Sequence, residues 1–333
     1  GWCSALLCVL LSRAGTLTMI QIKTAVFTVF LGISIVALPA NTAFMPIEEI
    51  RPGMVGIGRT VFQGTEQQEF EAHILGILRN TIGPRRNMIL AKLQGGPLEN
   101  TGVIAGMSGS PIYVDGRLIG AVAYSLGAFS KEPIAGITPI EEMTQSGTMP
   151  SSRSTSQAPI LELPVTQAGL AKTLQDLSKR TSPFADRLND LHVLGMTTTE
   201  GKQLGTMLRP IATPLAIGGF SSDLANLVAT AFGEHGFSPV VTSLSKQPQS
   251  SPTNALKPGD AVGISLIRGD MELAATGTVT YIDGNRVYAF GHPFYNLGPT
   301  EFPMTKAHVL TVLPSLSSSV KISSVGESIG TFQ

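Results

Sequence analysis

The chain has 333 residues, with 23 lysines and arginines against 23 aspartates and glutamates, and only 14% of its residues are charged. Such a balance offers no basic stripe to follow a phosphate backbone, so no nucleic-acid partner is expected. The length exceeds what one compact core usually fills and predicts more than one domain.

Residues 1–18 read as a leader ahead of the natural start, because Gly1 is not an initiator and Met19 opens a new pattern. Met19-Ile-Gln-Ile-Lys23 gives a short basic end, Thr24 to Ala37 an apolar run, and the residues up to Ala43 are small. Residues 19–43 are therefore expected to be a signal peptide or, if uncleaved, a membrane anchor. Export follows, to a periplasm, a cell envelope or the medium. Cys3 and Cys8 are the only cysteines and both precede Met19, which excludes thiol catalysis and cysteine-ligated metals from the remainder.

Across 46–145, short β-branched runs are punctuated by glycine, as in Gly53 to Gly58, Glu69 to Leu78 and Met88 to Leu93. This spacing predicts a β-sandwich or barrel. Within it lies Gly106-Met-Ser-Gly-Ser-Pro111. Gly106 and Gly109 can take backbone angles closed to other residues, so the turn could aim Ser108 Oγ outward while the amides of Gly106 and Ser108 converge. Ser108 would then be a nucleophile and the two amides an oxyanion hole; the same composition also suits a hairpin loop without chemistry. Ile112 to Tyr124, turning at Asp115-Gly116, predicts a hairpin that fixes the loop to a sheet.

Residues 146–159, rich in Ser, Thr, Gln and Pro, predict a linker. Residues 160–246 predict an α+β insert, with helices over 167–177 and 221–232 and strands over 214–218 and 237–242. Residues 247–256 form a second linker. A β-rich unit returns over 257–333, and its opening, Lys257-Pro-Gly-Asp-Ala-Val-Gly-Ile264, echoes Arg51-Pro-Gly-Met-Val-Gly-Ile57 with one residue added. Two related β-units are expected, and the strand-like pattern from Val320 onward predicts that the second continues past Gln333.

A serine nucleophile needs a proton acceptor. His292 follows the hairpin Thr276 to Phe290 in Phe290-Gly-His-Pro293, a strand-end mount that suits a neutral imidazole base, although a histidine merely filling a turn reads the same way. His73, alternating with apolar residues in a strand, is the second choice. His192, His235 and His308 read as surface or packing residues. No H-E-x-x-H spacing or carboxylate cluster accompanies them, so no metal and no cofactor is expected. Hairpin geometry explains Asp115 and Asp283. Glu301, Asp270 and Glu141 are unranked partners for an imidazole, and a Ser–His dyad or an acid beyond Gln333 stays open.

The Gly106 to Pro111 loop with the strand Gly116-Arg-Leu-Ile-Gly-Ala-Val122, together with Ala275-Thr-Gly-Thr-Val-Thr-Tyr-Ile-Asp-Gly-Asn-Arg-Val-Tyr-Ala-Phe-Gly-His-Pro293, resembles the SpoIVB-type serine peptidases. Those are chymotrypsin-like enzymes of sporulating bacteria. The resemblance implies chymotrypsin-like β-barrel or sandwich halves and endopeptidase action on proteins outside the cytoplasm. It also implies Ser108 as nucleophile and His292 as general base. In that family the histidine segment precedes the serine segment, so the present order implies permuted halves. The family's aspartate before the serine has no match: from Met88 to Ser108 the only carboxylate is Glu99. No clear counterpart of the family's PDZ domain stands out, although the α+β insert stays open as a divergent one. Met107 replaces the acid of a G-D-S-G-G-P loop, so activation through a salt bridge to a new N-terminus is not expected. The expected fold is mainly β with an α+β insert, and the expected function is an exported serine endopeptidase acting on protein or peptide. The alternative is a non-catalytic cell-envelope binding or scaffold protein that keeps a peptidase-like framework. A third possibility, an α/β-hydrolase, fits less well, since G-x-S-x-G fails at Ser110 and the strand–turn–helix context is absent.

Overall fold

The β-branched, glycine-punctuated runs fold into two sheets, and the chain is mainly β as expected. The computed structural model describes residues 43–80, 86–126, 130–146, 168–169, 172, 192–193, 207–233, 236–241, 255–293 and 301–332. The expected leader and signal segment, nearly all of both linkers and the helix expected over 167–177 fall outside these residues or touch them only at isolated positions.

The first sheet contains β1 (Val55–Val61), β2 (Gln67–Arg79), β3 (Met88–Gln94), β4 (Pro111–Val114), β5 (Arg117–Ser125) and β6 (Ile134–Pro139). They run in the order β1-β4-β5-β6-β3-β2, and a β1–β2 pairing closes them into a 6-stranded antiparallel barrel. Closure removes the exposed edges of an open sheet. The barrel interior is apolar: Ile74, Ile89, Leu93, Ile112, Ile119, Val122 and Ile137 are buried together. A one-turn helix α1 (Leu98–Thr101) ends at Gly102 in a left-handed conformation, and α2 (Ile140–Ser146) follows β6. Two short strands, β7 (His192–Val193) and β8 (Arg209–Pro210), pair with β2 and β5.

The second sheet holds β9 (Thr213–Gly218), β10 (Phe237–Val241), β11 (Ala261–Ile267), β12 (Glu272–Asp283), β14 (Phe302–Leu313) and β15 (Val320–Phe332), with β13 (Arg286–Ala289) on β12. The strand order is β10-β9-β12-β11-β14-β15. Helix α3 (Ser222–Gly233) joins the parallel pair β9 and β10 and starts where the Ser221 carbonyl accepts the Ala225 amide at 2.8 Å. Its Ala225 and Val228 bury against Leu215, Ile217 and Phe237. Because β9 also pairs with β12, these α+β residues share one sheet with the C-terminal strands.

The two Pro-Gly turns are matched in detail. Gly53 and Gly259 both take positive φ, at 87° and 98°. Each donates its amide to the second strand of its unit, Gly53 to Ile74 O and Gly259 to Val279 O. The next residue then accepts from the same strand, Met54 O from Ile74 N and Asp260 O from Val279 N. The turn at Asp115-Gly116 has positive φ at both residues, 49° and 73°, the requirement of a tight type I′ hairpin. The units touch directly: Gly64 and Val309 exchange two backbone hydrogen bonds, and Val61, Ala261, Ala307 and Val309 are buried together.

Candidate active site

The serine loop sits between the barrel and β12. Gly106 and Gly109 both take φ of 95°, as the sequence requires of a tight turn around Ser108. Gly109 donates to Val122 O at 2.8 Å, while Val122 N donates to Ser110 O at 3.0 Å, which ties the loop to β5. From the other side, Thr278 N donates to Ser108 O at 2.9 Å, Thr278 Oγ1 to Gly106 O at 3.0 Å and Thr280 Oγ1 to Gly109 O at 2.7 Å. Met107 is buried in the barrel core and anchors the loop there.

The two amides expected to form an oxyanion hole are held from behind. In a trans peptide the N–H points opposite to the carbonyl of the same unit. The carbonyl paired with the Gly106 amide is Ala105 O, which accepts Lys321 N at 3.0 Å. The carbonyl paired with the Ser108 amide is Met107 O, which accepts Ser110 N at 2.9 Å and Ser110 Oγ at 2.6 Å. Pinning both carbonyls aims both N–H groups away from these partners, and neither amide donates to another group among the described residues.

The histidine segment reaches the same place. A Cβ built on Gly109 would fall 1.9 Å from Thr278 O and 2.5 Å from Phe290 N, so only glycine lets the serine loop and the end of the second hairpin approach this closely. A Cβ built on Gly291 would meet Ala121, Ala123 and Val122 O at 3.1–3.3 Å, and the Gly291 carbonyl accepts Thr138 Oγ1 at 2.7 Å. Two segments remote in sequence therefore converge on the Val122 carbonyl.

His292 Nδ1 lies 3.1 Å from Pro293 O. A carbonyl only accepts, so the proton of the neutral ring is on Nδ1 and Nε2 carries a lone pair. Burial pushes the imidazole below its ordinary value, and the Pro293 carbonyl partly offsets this. Nε2 is buried and unpartnered, and so is Ser108 Oγ. The two atoms are not hydrogen-bonded to each other. Ser108 is fully buried, whereas the turn was expected to aim it outward.

The other candidates lie elsewhere. His73 pairs with Glu71 at 2.9 Å on the surface, and His308 is half-buried in β14. His192 pairs through its backbone at the end of β2, and His235 lies outside the described residues. Asp115, Asp270, Asp283, Glu141 and Glu301 make no contact with His292 among the described groups, and the orienting partner is a backbone carbonyl instead. No three His, Cys, Asp or Glu side chains gather as a metal site among the described residues.

Three contributors went unread in the sequence. Thr276, Thr278 and Thr280 occupy one face of β12, a period-two signal that was available; two of them hold the serine loop. Lys321 is 2% exposed, with Nζ 2.7 Å from Thr60 Oγ1, and burial pushes its amine down to about 7.

No curated protein and no solved structure matches the chain significantly. The family model described as SpoIVB peptidase S55 matches residues 14–143, a stretch that includes all six barrel strands and the serine loop but ends before His292. Over residues 14–143, which are less than half of its length, the chain is similar to the SpoIVB peptidase S55 family.

Proposed function

We propose that the protein is an exported serine endopeptidase that cleaves polypeptide by acyl transfer, with Ser108 as nucleophile and His292 as general base. The observation that carries this reading is the meeting of the two loops at Val122, with an unpaired hydroxyl on one and an unpaired imidazole nitrogen on the other. Ser108 Oγ attacks the scissile carbonyl and passes its proton to His292 Nε2. The Gly106 and Ser108 amides take the charge of the tetrahedral oxyanion. His292 then returns the proton to the leaving amine, and water hydrolyses the acyl-enzyme by the same steps in reverse. Pro293 O does the orienting work that a carboxylate does in a full triad. Closing the Oγ–Nε2 hydrogen bond is the rearrangement that substrate has to bring about.

A fluorophosphonate probe tests this, because it modifies only an activated serine. The purified full chain is expected to be labelled at Ser108. Ser108→Ala should abolish labelling and peptide turnover without altering the fold, and His292→Ala should slow labelling by about 100-fold or more. Export rests on residues 19–43, and sequencing the N-terminus of the protein recovered outside the cytoplasm would locate the cleavage. The full burial of Ser108 favours a second reading, a non-catalytic envelope protein on a peptidase framework. Absence of labelling in protein that is folded and otherwise intact would select that one.

A further inference from the structure

Lys321 is a buried, ionisable side chain that the reaction above leaves unused. It lies near the start of β15, where positions 321, 323 and 325 are buried. It reaches both peptide units that flank Gly106. Its backbone amide donates to Ala105 O at 3.0 Å. Its Nζ donates to Thr60 Oγ1 at 2.7 Å, the Thr60 and Thr278 hydroxyls are 3.5 Å apart, and Thr278 Oγ1 donates to Gly106 O at 3.0 Å. The last acceptor cannot donate, which fixes the order of hydrogens from amine to Thr60, from Thr60 to Thr278 and from Thr278 to the carbonyl. The Lys321 Cβ and Cδ atoms come within 3.3 Å of where a Gly106 side chain would begin, so the aliphatic stem runs along the loop. Its Nζ is 5.7 Å from the centre of the Phe62 ring, and no carboxylate forms an ion pair with it among the described residues. An apolar side chain of the same length would fill this space without the cost of burying an amine. Nor does the amine serve Ser108 directly, since Ser108 Oγ has no partner.

We propose that Lys321 is a positioning residue of the serine loop: it anchors a hydroxyl relay through Thr60 and Thr278 that holds the Gly106 carbonyl, and so fixes the peptide unit lying between the two that carry the Gly106 and Ser108 amides. The proposal rests on the reading of Ser108 as a nucleophile with those amides as its oxyanion hole.

The test compares the full chain with Lys321→Met, Thr278→Val, Thr278→Ser and the double variant Lys321→Met/Thr278→Val. Fluorophosphonate inactivation is resolved into its limiting rate and half-saturating probe concentration, and thermal unfolding is followed alongside. Lys321→Met and Thr278→Val should each lower the limiting rate about ten- to a hundred-fold with the half-saturating concentration unchanged. The double variant should be no slower than the slower single one, because one relay is broken once. Thr278→Ser, which keeps the hydroxyl, should retain the wild-type rate. Lys321→Met should melt no lower than wild type, which separates lost positioning from lost folding. A wild-type rate in Lys321→Met, additive losses in the double variant, or equal losses in Thr278→Ser and Thr278→Val would overturn the proposal. Should Lys321→Met fail to fold, the Thr278 pair decides. A wild-type chain that takes no probe at Ser108 overturns the nucleophile reading and this one with it; a labelled wild type with an indifferent Lys321→Met overturns this one alone.

Discussion

An imidazole and an amine sit buried in this site, with no acid paired to either among the described residues, and burial drives both toward their neutral forms. In the base role proposed for His292, this would lower the pH at which the imidazole becomes competent. The acid limb of the labelling rate should therefore have its midpoint below the ordinary histidine value of 6.5, and a midpoint above 6.5 in a pH–rate profile would contradict the assignment. For Lys321 the consequence is one of stability. Its folded value is about 7 against an ordinary 10.5, so between those values the unfolded chain binds a proton that the folded chain does not. Stability should rise as pH climbs from about 7 to 10.5. Unfolding measured across that range should show the slope in wild type and lose it in Lys321→Met. Ser108 and His292 stood out in the sequence as candidates because glycines flank one and a hairpin delivers the other. Lys321 was not, since a lysine in an alternating strand is ordinarily placed toward water, and only its phase with Ser323 and Val325 hinted otherwise. The Pro293 carbonyl beside His292 Nδ1 leaves no mark in residue identity, because a backbone acceptor is present at every position.

At the scale of elements, glycines that share a positive φ differ in what they are for. Gly109 and Gly116 both have positive φ, but a Cβ on Gly109 would run into Thr278 O and Phe290 N, whereas one on Gly116 would meet nothing within 4 Å. Gly116→Ala should cost only about 1–2 kcal/mol, the strain of a left-handed residue. Gly109→Ala adds displacement of β12 and should cost about 3 kcal/mol or more; urea denaturation of the two variants measures the contrast. Hairpins were readable because a turn and its strands are contiguous, and β4–β5 and β12–β13 both pair where the Asp-Gly steps placed them. The joining of β9 to β12 was not readable. Partners in a sheet are chosen by faces far apart in the chain, and the helical periodicity of residues 221–232 gave no sign of which sheet its flanking strands would extend.

For the molecule as a whole, the barrel and the second sheet are stitched at the site. Thr278 N reaches Ser108 O, Lys321 N reaches Ala105 O and Val309 exchanges bonds with Gly64. Parts joined through shared backbone bonds should unfold together, so in native-state hydrogen exchange the amides of Thr278, Lys321 and Val309 should all open only with global unfolding. Earlier exchange of Lys321 alone would show that β15 detaches independently. The matched Pro-Gly turns fit two related units, each beginning with the same device. Ser319 Oγ bonds Thr101 O across a separation of 218 residues, immediately before Lys321 clasps Ala105. A ribosome adding about 5–20 residues per second needs on the order of ten seconds or more to cover that distance. The nascent polypeptide thus holds Ser108 long before the strand that clasps its loop has been made, so the loop can take its final form only once translation has passed β15.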